Sequence, residues 1–360
     1  MRQAGNVLVL GPYAALRVRG GALDIQHGLQ GDKATVRVDV DADPKPHTIL
    51  FTSHGEFLTG EAMRWCAHYG IGLILPDGPG RVLTVLQSAL EAGEGAAALP
   101  DTDPAIIRAQ CAADPVGIAR DIVRAKIDAE AGHAGRYDPF NANAARDWIE
   151  KLDGADSVAQ IVTIEAQAAL CYWRAFKDMG LREAKGGNLP RTWLRFANRN
   201  KGAQFLGNQH ATHPINAMLN YAYVVEAGRL AKALAARGLA LSIGFLHADK
   251  KGRNSLVWDA IEPIRPMIDA GVFRYIRRQE FKRTDFPQTG ASTFRLSREI
   301  IGDMLTQCTL PALAISDAAD FMLQAVERYS LPSTRSGAGG DRRLFKTDMR
   351  RRKRLVALID

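Results

Sequence analysis

The sequence predicts an α+β chain of two domains, a small β-strand-rich N-terminal domain followed by a larger all-α domain. Three observations predict it. The apolar residues recur with period two before about residue 90 and with a period near 3.6 after Pro104. Residues 91–104 (EAGEGAAALPDTDP) form a small, acidic, proline-marked stretch between the two patterns. The 360 residues exceed one ordinary domain, and 46% hydrophobic with 24% charged residues is globular composition. The division expected is 1–90 strands, 91–103 linker, 104–332 helices and 333–360 a flexible basic tail.

The N-terminal elements follow in order. Val7-Leu8-Val9-Leu10 is a short apolar run closed by Gly11-Pro12. Ala14–Val18 and Ala22–Ile25 flank Gly20-Gly21, a turn signal, and Ala34-Thr35-Val36-Arg37-Val38 alternates as a half-buried strand should. Thr48–Phe51 is another apolar run. A helix fits Thr59 to Tyr69, with Thr59 as N-cap and Gly70 as stop. Ile71–Leu75 reads as a buried strand ended by Pro76-Asp77-Gly78-Pro79-Gly80, with Val82–Val85 pairing back against it. Helices then fit 104–132, 143–152, 155–179, 214–237, 255–270, 296–306 and 316–330. Between them, 181–212 is polar, basic and irregular, and reads as a mobile loop; 333–341 (STRSGAGGD) reads as a flexible linker.

Charge is uneven. The formal net charge is +8, yet residues 1–100 hold 8 basic and 10 acidic side chains, so the excess lies beyond them. Residues 335–360 alone hold 9 basic and 3 acidic groups, including Arg350-Arg351-Arg352-Lys353-Arg354. Such asymmetry points to a polyanion partner; a solvated tail is the plainer alternative. Cys66, Cys111, Cys171 and Cys308 are far apart, which argues against a zinc site and reads as buried free thiols. There is no 18-residue apolar run and no leader-like N-terminus, so a cytoplasmic chain with no membrane contact is expected.

No P-loop, GxSxG, HExxH or CxxC pair occurs. One dense constellation remains at 243–266, IGFLHADKKGRNSLVWDAIEPIRP. His247 ends an apolar run and opens a glycine-containing loop. Ser255 suits the N-cap of the next helix, and Asp259 and Glu262 share one face of it. Carboxylates that close need a positive charge between them: a divalent cation, or Lys250, Lys251, Arg253 or Arg265. An imidazole with hard oxygen donors suits magnesium or manganese. An ordinary salt-bridged helix start fits the same residues. Glu165, inside the apolar run IVTIEAQAALCYW, needs a partner or a proton; it belongs either to a polar stripe beside Gln167 or to a site with His247 and Glu262. His210 and His213 read as loop histidines. Tyr221 and Tyr223 read as helix-core packing.

Three stretches carry a resemblance. GFLHADKKGRNSLVWDAIEPIRP at 244–266, HPINAMLNYAYVVEAG at 213–228 and EAQAALCYWRAF at 165–176 are similar to motifs of the CRISPR-associated adaptation endonuclease and integrase, the "Cas one" family. The N-terminal Ser53-His54-Gly55 through Asp77-Gly78 resembles the strand domain of that family. The likeness runs from about 7 to 305; the loop 181–212 is longer than the family pattern, and the arginine-rich tail lies outside it.

The resemblance implies a helical catalytic domain in which Glu165, His247 and Glu262 hold catalytic Mg2+ or Mn2+. Asp259 would be an auxiliary acid, either a second ligand or a group orienting His247. The implied reaction is attack of a DNA 3′-hydroxyl on a phosphodiester, with hydrolysis as the counterpart when water attacks. Double-stranded DNA would lie on Lys250, Lys251, Arg253, Arg265, Arg274, Arg277, Arg278, Lys282 and Arg283. The implied partners are a second copy of the chain, joined through 1–90, and the small "Cas two" protein. A mobile-element integrase or solo nuclease, and a non-catalytic DNA-binding scaffold, are the competing readings.

Overall fold

The computed structural model describes residues 2–4, 7–10, 13–28, 34–39, 41, 46, 48–51, 56–76, 82–86, 103–196, 211–250, 253–289 and 293–330. Residues 91–102 of the expected linker 91–103, Lys251, His210 and the tail 333–360 lie outside them. The α+β class is as the sequence predicts, with strands in the N-terminal part and helices after Pro104.

The strands are β1 (Arg2–Ala4), β2 (Val7–Leu10), β3 (Ala15–Arg19), β4 (Ala22–His27), β5 (Ala34–Val38), β6 (Thr48–Phe51), β7 (Phe57–Leu58), β8 (Gly72–Pro76) and β9 (Val82–Leu86), with helix α1 (Gly60–His68) between β7 and β8. They form two sheets, ordered β1-β2-β6-β8-β9 and β5-β4-β3-β7. The expected return of 82–85 is present: β8 and β9 pair antiparallel. Thr59 caps α1 by accepting from the Ala62 N–H at 3.1 Å, and Gly70, at φ +71°, ends it in a left-handed conformation that only glycine adopts without cost. Leu10, Leu16, Leu23, Ile25, Phe51, Trp65 and Leu73 join both sheets and α1 in one core.

The helices of the second part are α2 (Pro104–Ala112), α3 (Pro115–Ala134), α4 (Pro139–Arg146), α5 (Trp148–Lys151), α6 (Val158–Arg174), α7 (Pro214–Ala235), α8 (Ser255–Ile261), α9 (Arg265–Arg278), α10 (Arg298–Cys308) and α11 (Ala312–Ser330). The single helix expected over 104–132 is two. Asp114 accepts from the N–H groups of Val116 and Gly117, both at 3.0 Å, and Pro115 sits at the first helical position, where its missing N–H costs nothing. The same Asp-Pro start opens α2 at Asp103-Pro104 and α4 at Asp138-Pro139. The helix expected over 255–270 is also interrupted. Pro263 and Pro266 remove two N–H donors, so Glu262–Ile264 becomes a 3-10 turn between α8 and α9. A short ribbon, β10 (Gln288–Thr289) with β11 (Thr293–Phe294), is a further departure from an all-α second part.

The chain forms two compact units that do not follow the linear division. One holds 1–101, 180–232 and 275–309; the other holds 102–179, 233–274 and 310–360. The reason is visible in the first unit. Leu50 of β6 and Ile74 of β8 pack against Val225 of α7 and Ile301 and Leu305 of α10, so these helices cover a sheet face. The expected mobile loop is ordered in its first half. Phe281 N–H donates to Arg182 O at 2.8 Å, Ala184 N–H to Phe281 O at 3.0 Å and Leu181 N–H to Trp193 O at 3.1 Å. Residues 197–210 lie outside the description.

In the second unit α3 is the central element, burying Ile118, Ile122, Val123, Ile127 and Ala134. Gly117 permits close approach of α11: a Cβ there would stand 2.2 Å from the Tyr329 ring. Cys66 and Cys308 are buried and in no disulfide, as expected of all four cysteines; Cys111 is exposed and Cys171 half-buried, against that expectation.

Candidate active site

The predicted acids and His247 all lie in the second unit, on α6, the loop before α8, α8 itself and the turn that follows it. Two of them reach one cation. Lys126 of α3 forms ion pairs with Glu165 of α6 and, at 2.7 Å, with Glu262 Oε2. Arg265, one turn on from Glu262, approaches its Oε1 at 3.1 Å. Lys126 is 5% exposed and Glu262 2%. Burial by itself would raise the Glu262 pKa; Arg265, Lys126 and then His247 outweigh it and hold the carboxyl at about 2. Burial also favours a neutral Lys126 amine, but Glu262, Glu130 and Glu165 outweigh it and push the ammonium pKa up.

Asp259 is fully buried and is not part of that ion cluster's contacts. Its Oδ2 accepts from the N–H of Phe245 at 2.5 Å and of Leu246 at 3.0 Å; its Oδ1 accepts from the His247 N–H at 2.9 Å and lies 2.7 Å from His247 Nδ1. Three backbone dipoles thus stabilise the anion, and the ring contact fixes which imidazole nitrogen remains for chemistry, Nε2. The 2.7 Å contact with Nδ1 is the one that the orienting role calls for. Gly244 makes this collar possible. A Cβ there would meet Ser255 Cβ at 2.7 Å and Asp259 Oδ2 at 3.0 Å, so no other residue lets the loop close on the carboxylate. Ser255 does not cap α8, as the sequence suggests; Asn254 holds the cap position, and Ser255 Oγ donates to Ala248 O at 3.1 Å, tying down the same loop.

Among the described residues, no three His, Cys, Asp or Glu side chains converge closely enough to form a metal cluster. The donor set nevertheless suits a hard divalent ion. Glu165 and Glu262 already bracket one positive charge, that of Lys126, and His247 is held with Nδ1 engaged.

The chain matches the family described as CRISPR associated protein Cas1 over residues 7–309. It belongs to that family. Among its Cas1 relatives, the CRISPR-associated endonuclease Cas1 2 of Pyrobaculum aerophilum is 30% identical over 167 residues, 46% of this chain and 48% of the relative. The chain spans about half the length of the first curated relatives it matches. The fold is shared with two solved structures. A casposase bound to integration product has a TM-score of 0.67 at 20% identity, covering 96% of this chain and 99% of that one. A Cas6-RT-Cas1–Cas2 complex has a TM-score of 0.65 at 16% identity, covering 91% of this chain and 35% of that one.

The cations expected to meet DNA in this Cas1 chain belong to both units. Lys250 is exposed and Arg253 half-buried in the second unit, while Arg277, Arg278, Lys282 and Arg283 are exposed in the first. Arg265 is spent on Glu262, and Arg274 is half-buried; burial first, then Arg136 and Arg274, lower the His133 pKa. Lys251 lies outside the described residues. His213 is a capping residue, as a loop histidine: its Nδ1 accepts from the Ile215 N–H at 3.1 Å, and Nε2 faces Thr192 O at 3.3 Å. Tyr223 is buried, and Tyr221 packs against the Leu50–Leu305 cluster, in accord with a packing role.

The residue that sequence reasoning misses is Lys126. Its signal is spacing: Ile122, Lys126 and Glu130 recur every four residues on the apolar stripe of α3, so two charged residues occupy core positions. The stripe continues to His133, whose Nδ1 lies 2.9 Å from Tyr172 Oη, which donates to Asp269 Oδ2 at 2.8 Å.

Proposed function

We propose that this chain is a metal-dependent DNA endonuclease and integrase of CRISPR adaptation, joining spacer 3′-hydroxyl ends into the repeat array by transesterification. One observation carries the reading: in a Cas1 chain, Glu165 of α6 and Glu262 of the turn after α8 approach a single buried positive charge, that of Lys126. Glu165, His247 and Glu262 would hold Mg2+ or Mn2+. When bound, the ion would lower the pKa of the attacking hydroxyl and stabilise charge on the phosphoryl group and leaving oxygen.

The protein's own groups do the rest. Asp259 orients His247 and, by accepting at Nδ1, leaves Nε2 as donor atom. Arg265 keeps Glu262 ionised, so no proton competes at its oxygens near neutral pH. Exposed cations such as Lys250, Arg277, Arg278, Lys282 and Arg283 hold the phosphate backbone without reading sequence. The partners proposed are double-stranded DNA, a second copy of the chain through residues 1–90, and the small Cas2 protein, which the Cas6-RT-Cas1–Cas2 complex of similar fold contains.

The test is integration of a labelled short duplex into a plasmid with Mn2+ or Mg2+. Glu165→Ala, His247→Ala and Glu262→Ala should each abolish strand transfer while the far-ultraviolet spectrum stays native. Wild-type-like transfer by any one of them removes that residue from the site.

A further inference from the structure

The position of Lys126 bears on how such a site accepts an ion. Its ammonium occupies the space between Glu165 and Glu262, contacting an oxygen of each. A divalent ion held by the same two carboxylates cannot share those oxygens with an ammonium at contact distance, because like charges there would repel strongly at low effective dielectric. The lysine must move, and it is a buried side chain, so it needs a buried destination.

Glu130 provides one. It lies one helical turn beyond Lys126 on the same face of α3, within reach of an i, i+4 ion pair. It is 3% exposed, and its Oε2 is buried with no hydrogen-bond partner. An orphaned carboxyl oxygen inside a core is costly, and an arriving ammonium would satisfy it. Burial, opposed by Lys126, pushes this carboxyl up to about 8, as expected of a group short of positive charge.

We propose that Lys126 is an exchangeable internal counter-cation: it holds Glu165 and Glu262 together until a divalent ion displaces it, and it then pairs with Glu130, whose carboxyl gives up its proton to water as the ammonium arrives. This rests on the metal-site reading above. It assigns Lys126 a positioning role and makes Glu130 the group that releases it.

Equilibrium binding of Mn2+ alone to the full chain, followed by the loss of the free-ion electron paramagnetic resonance signal, tests it. Lys126→Met removes the competing charge at similar length and should tighten Mn2+ binding roughly tenfold, as coupled contacting charges do. Glu130→Gln leaves the lysine without its destination and should weaken binding roughly tenfold. In the Lys126→Met background the Glu130→Gln change should have no further effect. Binding by Lys126→Met that is no tighter than wild type overturns the proposal, as does a Glu130→Gln effect equal in both backgrounds. Should Lys126→Met fail to fold, Glu130→Gln alone decides: unchanged affinity ends the exchange. Glu165→Gln separates the two readings. Mn2+ bound by wild type and lost in Glu165→Gln keeps the metal site whatever the lysine does. Binding by none of the proteins removes the metal site and the exchange together.

Discussion

Asp259 and Glu262 stand three residues apart, one on α8 and one on the turn after it, both cut off from solvent. Asp259 is neutralised by dipoles, three backbone N–H groups and a histidine ring. Glu262 is neutralised by whole charges, Lys126 and Arg265. Pro263 and Pro266 interrupt the helix between the two settings, so that Asp259 stands on α8 and Glu262 on the 3-10 turn that follows. A dipolar collar is covalently part of the chain and cannot be traded without opening the loop. An ionic partner can be exchanged for another cation. One carboxylate is therefore built to hold a shape and the other to hold a charge.

The sharpest way to break that contrast is Asp259→Asn. The amide keeps the size but places an NH2 group against N–H donors and loses the anion beside His247. Strand transfer should fall about 10- to 100-fold, the usual cost of an outer partner of a ligating histidine. Stability to urea should fall by about 1–3 kcal/mol for the mispaired buried group. Transfer at the wild-type level would show that the collar does not position the ring.

How much of this is legible in the sequence divides along the same line. The strands, the Thr59 cap, the Gly70 stop and the β8–β9 return follow from local periodicity and turn chemistry, which short windows contain. The constellation at 243–266 is legible for the same reason, since His247, Asp259 and Glu262 are neighbours in the chain. Lys126 is 39 residues from Glu165 and farther still from Glu262, so only folding joins them. Its trace, a lysine on an apolar stripe, is a core anomaly rather than a motif. The break at Asp114-Pro115 was legible in principle, because an aspartate before a proline is a cap before a first turn, but an apolar period continuing through it masks the stop. The compact units could not be read at all. They depend on which helices cover the Leu50–Ile74 sheet face, and that choice leaves no mark in a linear pattern.

A second test sharpens the ionic side. Glu130 has its carboxyl raised from an ordinary 4.5 to about 8 by burial, so between those values the folded chain keeps a proton that the unfolded chain has lost. That contribution to stability is complete below about 4.5 and is lost as pH rises through about 8. Glu262 is shifted the other way, to about 2; its contribution is present above about 4.5 and disappears only as pH falls toward 2, a separate window. His133, held near 3 by burial, acts below about 6.5. Between pH 6.5 and 8.5, with chelator present, the wild-type urea midpoint should therefore drop more than that of Glu130→Gln, which has no proton to lose. Parallel profiles would mean that Glu130 is already paired, and would weaken the case for it as a destination.

The smallest expected effect calibrates the others. Arg328 pairs with Asp121 at 2.9 Å, the same chemistry as Lys126 with Glu262, but the arginine side chain is 54% exposed. Water solvates both groups when the pair is broken, and the Tyr329 hydroxyl still donates to Asp121 at 3.2 Å. Arg328→Ala should thus cost about 0–1 kcal/mol in urea unfolding, with strand transfer unchanged. Lys126→Met, which takes the cation from Glu165 and leaves the buried Glu262 with Arg265 alone, should cost about 3–5 kcal/mol in the same measurement with chelator present. If the two losses were equal, burial would not be what distinguishes the site's ion pairs. Glu262 would then be as replaceable as a surface acid, and its exchange of partners would carry no special cost or consequence.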